Sequence, residues 1–167
     1  MPVSIRPFRP SDAPACGRIV DATPLWRRYG LTGGALARAL VASTEPIFVA
    51  DDAGVVLGFA WVLRSGAFGR SGYLRLIAVD PDRRGARVGE ELLRAFEAEA
   101  QSRSADAFLL VSDFNAGARR FYLREGYVEV GRLDDYVVPG VSEILMRKRL
   151  GRPAAPDAGA ASPADSG

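Results

Sequence analysis

Apolar and polar positions alternate from Val3 to Phe8 (VSIRPF), the pattern of a strand with one buried face. From Ser11 the spacing lengthens. SDAPACGRIVDA predicts a helix with Ser11 or Asp12 as its cap and Pro14 in its first turn. PLWRRYG follows neither period and is expected to be irregular, whereas LTGGALARALVAS is helical again, with Thr32 as cap. PIFVADD and VVLGFAWVLRS are β-rich runs joined by Asp51, Asp52, Ala53 and Gly54, hence a hairpin. YLRLIAVD is a strand stopped by Pro81. The segment from Arg84 or Gly85 to Ser102 reads as a helix, because Val88, Leu92, Phe96 and Ala100 recur at fourfold spacing. DAFLLVS is a buried strand. NAGARRFYLREG is a helix with Asn115 as cap and Gly126 as left-handed stop. YVEVGRL and VSEILMRKRL end the pattern as two strands joined through Asp134 to Gly140.

This order, β-α-α-β-β-β-α-β-α-β-β, predicts an α/β fold with a mixed sheet and helices on both faces. YLRLIAVD, the helix after it and DAFLLVS form one crossover between parallel strands. From Gly151 the chain reads GRPAAPDAGAASPADSG, too poor in apolar residues to offset its ordering entropy. The expected organisation is one domain over 1–150 and a disordered tail over 151–167.

Composition changes this picture mainly by exclusion. No apolar run nears the ~20 residues that cross a bilayer, and MPVSIRPFRP has no signal core, so a cytoplasmic protein without a membrane partner is expected. Cys16 is the sole cysteine and there is no histidine, which excludes an intrachain disulfide and argues against a metal site. Any acid–base chemistry must then use Asp, Glu, Tyr, Lys, a terminus or water, and no Cys–His or Ser–His nucleophile can form. The formal charge is only +2, Lys148 is the sole lysine, and the arginines form no stripe interleaved with aromatics. No nucleic-acid partner is expected.

Two stretches carry chemistry. In DPDRRGARVGEELL a strand end runs through an Arg/Gly turn into a helix, whose first N–H groups lack partners and suit an anion. In NAGARRFYLREGY, Ala118, Phe121, Tyr122 and Glu125 share one helix face. Taken alone, Asn115 reads as a cap and Tyr122 as a core aromatic. Taken together, a Val-Asp-Pro turn with Arg-Gly-x-x-x-Gly, followed by Asn-x-x-Ala-x-x-Phe-Tyr-x-x-x-Gly-Tyr, resembles the GNAT superfamily of N-acetyltransferases. The likeness extends to SIRPFRPSDAPA as the opening strand and helix and to GVSEILMRKRL as the closing strand.

The resemblance implies a largely antiparallel sheet of six to seven strands with a central parallel pair splayed apart. It implies acetyl-CoA as co-substrate, no metal, and an amine acceptor, with a homodimer as the common assembly. The turn from Arg84 through Gly85, Ala86, Arg87 and Val88 to Gly89 would cradle the pyrophosphate. Ile77, Ala78 and Val79 would line the pantetheine arm, with Ala118 on the facing helix and Asn115 bonding the arm or a water. Tyr122 would protonate or stabilise the departing thiolate. GYLRLIAV carries no carboxylate as base, since Tyr73 and Arg75 stand at the candidate positions. Glu143 is the candidate instead, with Asp134 and Asp135 as alternatives acting through water. Trp26 and Tyr29 with Arg27 and Arg28 are candidates for an apolar, cationic acceptor wall suited to a small acidic or amphipathic amine, set against plain packing of Trp26 and solvation of the arginines. Cys16, on an apolar helix face, reads as inert packing.

Where the family's turn has a middle glycine, this chain has Arg87. Inside the first helical turn its φ would be negative, which arginine tolerates, and Glu91 would be its i, i+4 partner. Two rival functions attach to the same motifs: a non-catalytic acyl-CoA-binding module, and a protein lysine or N-terminal acetyltransferase.

Overall fold

The computed structural model of the chain describes residues 3–84 and 87–152, so most of the tail expected over 151–167 lies outside the described residues. Among the described residues, seven strands form one sheet: β1 Ser4–Pro7, β2 Ile47–Asp52, β3 Val55–Ala67, β4 Ser71–Val79, β5 Asp106–Ser112, β6 Val128–Asp134 and β7 Ser142–Arg149. Their order across it is β1-β2-β3-β4-β5-β7-β6. The β4–β5 pair is parallel and the other neighbours are antiparallel. The α-helices that cover it are α1 Ala13–Asp21, α2 Pro24–Arg28, α3 Gly33–Ala42, α4 Val88–Gln101 and α5 Ala116–Arg124.

One face packs Val88, Leu92, Leu93, Phe96 and Ala100 of α4 with Tyr122 of α5 onto Leu57, Val62, Leu74, Leu109 and Met146. The other packs Cys16, Ile19 and Val20 of α1 and Leu36 and Leu40 of α3 onto Val49, Phe59, Trp61 and Leu76. Fully burying each large apolar side chain contributes roughly 1.5–3 kcal/mol, so the two layers fix the sheet between them. Cys16 is fully buried and its thiol is pushed up to about 12 chiefly by burial, so it stays protonated and serves as packing.

The sheet opens at its centre. Pairing of β4 with β5 runs from Gly72↔Ala107 to Leu74↔Leu109 and stops there, although β4 continues to Val79 and β5 to Ser112. A bulge marks the same point. Trp61 faces Leu76 and the next residue, Val62, faces Leu74, so Arg75 is the extra residue on β4. On the far side of β5, the β7 register brings Glu143 opposite Ser112, at the open end of the gap.

Helices α1 and α3 cross in close contact. A Cβ on Gly17 would lie 2.8 Å from the Gly33 carbonyl oxygen, so a side chain there would force the two backbones apart. Asp21 Oδ1, at the end of α1, accepts the Gly33 N–H at 2.7 Å and so satisfies the start of α3.

Three expectations are corrected. PLWRRYG is not irregular, because Pro24 and the following residues form the short helix α2. Asp12 does not cap α1 with its side chain: its carboxylate accepts the Arg9 N–H at 2.7 Å and two bonds from Arg6. The third matters most. Helix α4 begins at Val88, not at Arg84 or Gly85, and Arg87 precedes it with φ 60° and ψ 9°, in the left-handed region. Arginine therefore occupies a conformation that favours glycine, at a backbone cost. Its guanidinium pairs with Glu90 at 2.9 Å rather than with Glu91, which is held by Arg94.

Candidate active site

Two cavities flank the gap between β4 and β5. The first, about 510 Å³, is bounded by the end of β4 (Ile77, Ala78, Val79), the turn and start of α4 (Arg83, Arg84, Arg87, Val88, Gly89) and the facing side of α5 (Ala118, Phe121, Arg124). Arg83, Arg84, Arg87 and Arg124 outweigh Glu90, so this cleft is positive, and the N–H groups at the start of α4 add to the field. A Cβ on Gly89 would meet nothing nearer than Phe121 at 3.7 Å. Packing within the chain therefore does not demand a glycine there, and the open space beside its backbone faces the cleft.

The second cavity, about 360 Å³, lies across the gap. Its walls are the middle of β4 (Tyr73 to Ile77), the end of β5, the α2 segment and Glu143. Leu25, Trp26, Ile77, Asn115, Ala118 and Tyr122 line both cavities, which are thus two arms of one passage through the opened sheet. Asn115 caps α5, its Oδ1 accepting the Ala118 N–H at 3.1 Å, and this leaves its amide nitrogen as a donor. Tyr122 is 6% exposed and packs edge-on against Phe121 and Tyr127. Burial, then the neighbouring Tyr73, raises the Tyr122 hydroxyl well above the usual tyrosine value, so it remains a proton-bearing donor.

Glu143 is 4% exposed. Its Oε1 accepts the Tyr29 hydroxyl at 2.5 Å, and Tyr29 in turn bonds the Ser112 hydroxyl. With its own proton given to Glu143, Tyr29 accepts from Ser112, which orders the chain Ser112 to Tyr29 to Glu143. No described protein group bonds Oε2. Burial raises the Glu143 carboxyl above its ordinary value, the Tyr29 bond opposes this, and Asp113 adds to it. Tyr29 itself is pushed up to about 12, first by burial and then by Glu143.

Every candidate cofactor residue among the described ones lines the passage; Gly85 and Ala86 lie outside the described residues. Of the acceptor-wall candidates, Trp26 packs on the second core layer and lines both cavities, and Tyr29 lines the smaller one. Arg27 and Arg28 do not line it. Arg28 stacks on Phe114 at 4.0 Å, and Arg27 donates to the Asp21 carbonyl. The alternative bases are engaged elsewhere: Asp134 accepts from Arg132 and Ser142, and Asp135 accepts the Gly140 N–H.

A sequence model described as the Acetyltransferase (GNAT) family matches residues 16–127, from α1 to Tyr127, which takes in the lining of the larger cavity and that of the smaller one apart from Val137 and Glu143. The chain belongs to the GNAT acetyltransferase family. Within 85 residues it is 35% identical to mycothiol acetyltransferase of Thermobispora bispora, a match covering 48% of this chain and 29% of that protein's length. Ard1 of Thermoplasma volcanium superposes with a TM-score of 0.75 at 26% identity, over 91% of this chain and 100% of its own. The yncA protein of Salmonella typhimurium, whose structure holds its cofactor acetyl-CoA, has the same fold at a TM-score of 0.71 and 22% identity, over 95% of this chain and 99% of its own.

The GNAT motifs do not point to Tyr29 and Ser112 as partners of Glu143, nor to Arg124 and Phe121 as cleft walls; Arg83, whose charge beside the turn is plain in the sequence, does line the cleft. For Ser112 a signal existed, a hydroxyl ending the buried run DAFLLVS. For Tyr29 the only signal was the density of aromatics and arginines in 24–30.

Proposed function

We propose that this chain, through residues 1–150, is an N-acetyltransferase that moves an acetyl group from acetyl-CoA directly to a small amine. The observation that carries this is the passage itself: a positive cleft and a chamber with a buried carboxylate meet beside Tyr122, in the gap between two parallel strands. The residues present fit the co-substrate. Arg83, Arg84, Arg87 and the start of α4 would hold its phosphates through charge-assisted bonds worth roughly 1.5–3 kcal/mol each. Ile77, Ala78 and Val79 would flank its arm, and the Asn115 amide nitrogen would donate to it. Acetyl-CoA supplies an acyl carbon activated as a thioester.

Glu143 would take the proton that an ammonium must lose before its nitrogen attacks the acyl carbon. The C–N bond forms as the C–S bond breaks, the departing sulfur carries the electron pair, and the proton still on the acetylated nitrogen passes to that thiolate, so that amide and thiol are the products. Tyr122 would donate a hydrogen bond to that sulfur. A thiol near pKa ~8.5 is the stronger acid than a buried tyrosine, so stabilising the thiolate suits Tyr122 better than complete proton transfer.

Thermal shift with acetyl-CoA, together with thiol release over a panel of amines, tests the reading. Stabilisation and turnover are expected. Stabilisation without turnover for any amine would favour the acyl-CoA-binding module.

Arg87→Gly separates the two uses of that position. Relief of the left-handed backbone is expected to raise Tm by roughly 2–4 °C. Acetyl-CoA affinity is expected to fall about fivefold at low salt, with the difference shrinking as ionic strength rises. Unchanged affinity at low salt would leave Arg87 only its pair with Glu90.

A further inference from the structure

We infer that the acceptor is a compact, apolar primary amine without a carboxylate of its own, bound through its ammonium to the free oxygen of Glu143. The inference rests on the acetyltransferase reading and adds the chemistry of the second substrate.

Four observations converge. Glu143 is almost wholly withdrawn from solvent, yet it lines the smaller cavity and has only one oxygen engaged by a described residue, Oε1 with Tyr29. A buried carboxylate with an open lone-pair face calls for a donor, and a cationic donor satisfies both charge and hydrogen bonding. The second observation is that the chamber is mainly apolar. Leu25, Leu76 and Leu110 supply aliphatic surface, and Trp26, Tyr29 and Tyr73 add aromatic surface. Tyr73 is pushed up to about 12, so it stays neutral.

The third observation is the cation count. Arg75 is the sole cation lining the chamber among the described residues, and its guanidinium is stacked over Trp61 at 4.2 Å. An amino-acid acceptor would bring its carboxylate within two bonds of the ammonium-bearing carbon, and so beside Glu143, where it meets repulsion that Arg75, held over Trp61, is the one described cation to offset. The fourth is size. A volume of about 360 Å³ is at the small end of ligand pockets and suits one aromatic or branched alkyl group. Tyr29 acts here as a positioning residue, because its bonds to Ser112 and Glu143 hold Oε1 and leave Oε2 without a described partner.

The test measures thiol release with 2-phenylethylamine, L-phenylalanine, an alanine-initiated tripeptide and putrescine. Alongside, calorimetry follows binding of 2-phenylethylamine and the uncharged 2-phenylethanol to the enzyme–CoA complex. 2-Phenylethylamine is expected to exceed each of the other three by at least about 100-fold in kcat/KM. Glu143→Gln is expected to weaken its binding by about tenfold or more while leaving 2-phenylethanol unchanged, a difference that a merely structural role for Glu143 would not produce. Preference for L-phenylalanine, the peptide or putrescine overturns the inference. Equal loss of the amine and the alcohol in Glu143→Gln overturns it as well. Failure of the protein to bind acetyl-CoA, or stabilisation by acetyl-CoA without turnover of any amine, would instead sink the acetyltransferase reading beneath it.

Discussion

Replacing Tyr122 by phenylalanine is expected to lower kcat by roughly 100-fold while changing the dissociation constant for acetyl-CoA by no more than about twofold. The variant keeps the ring, and with it the edge-on contacts to Phe121 at 5.2 Å and Tyr127 at 5.7 Å, so the fold and the cleft wall survive. Only the hydroxyl is lost. It bonds no other described residue, so its removal leaves no partner stranded. A hundredfold loss is about 2.7 kcal/mol of transition-state stabilisation, within reach of one hydrogen bond to developing negative charge in a site that excludes water. The defect is expected in kcat because sulfur gains its charge only as the C–S bond breaks. Steady-state thiol release and calorimetry check the two halves. Unchanged kcat would remove Tyr122 from the mechanism.

Glu143→Gln is expected to lower kcat/KM near neutral pH by about 100-fold and to change the shape of its pH dependence. In the native protein the rate is expected to fall as pH drops through the Glu143 pKa, which burial has raised above the usual carboxylate range. It is expected to fall again above the pKa of the amine, which would then reach the enzyme without the charge proposed to draw it to Glu143. Glutamine accepts no proton, so the variant depends on the neutral amine already in solution. Its rate is expected to climb about tenfold per pH unit up to the amine pKa, with no limb belonging to the enzyme. The same substitution should raise Tm at pH 7. A carboxyl whose folded pKa exceeds its unfolded value binds more protons when folded, so it costs stability above that pKa and the cost disappears as pH falls through it. The glutamine side chain would still accept from Tyr29 and would carry no buried charge. Activity lost with stability gained would mark the site as a place where function is maintained against folding. A pH profile with its acid limb intact would assign the proton to another acceptor.

Most of the fold was legible because it rests on local patterns. Alternation set β1, runs of β-branched and aromatic residues set the inner strands, and fourfold spacing set α4. Asn115 and Gly126 bounded α5 as capping residues do. The central parallel pair followed from the order of elements. What escaped was of two physical kinds. The α2 helix is too short to show a period and is held by Trp26 packing on a distant layer. The Glu143 site joins residues that only the sheet brings together: Tyr29 and Glu143 lie 114 positions apart, and burial of Glu143 depends on the β5–β7 register. Arg87 failed for another reason. Helical periodicity does not mark where a helix starts when polar residues lead into it, and it says nothing about the sign of φ at the boundary.

The contact between Gly17 and Gly33 has a consequence for how such a protein can diversify. With α1 and α3 locked backbone to backbone, and Asp21 bonded to the first N–H of α3, the segment from Ala22 to Thr32 leaves and returns at one fixed point. It behaves as an interchangeable cassette. Its residues Leu25, Trp26, Tyr29 and Leu31 line the smaller cavity, proposed to hold the acceptor, whereas the arginine-bearing turn before α4 belongs to a different part of the chain. New acceptor preferences can therefore be grafted between the two glycines while the arginine-bearing turn proposed to hold the donor's phosphates keeps its place; only Thr23, Leu25 and Trp26 of the segment also touch that cleft.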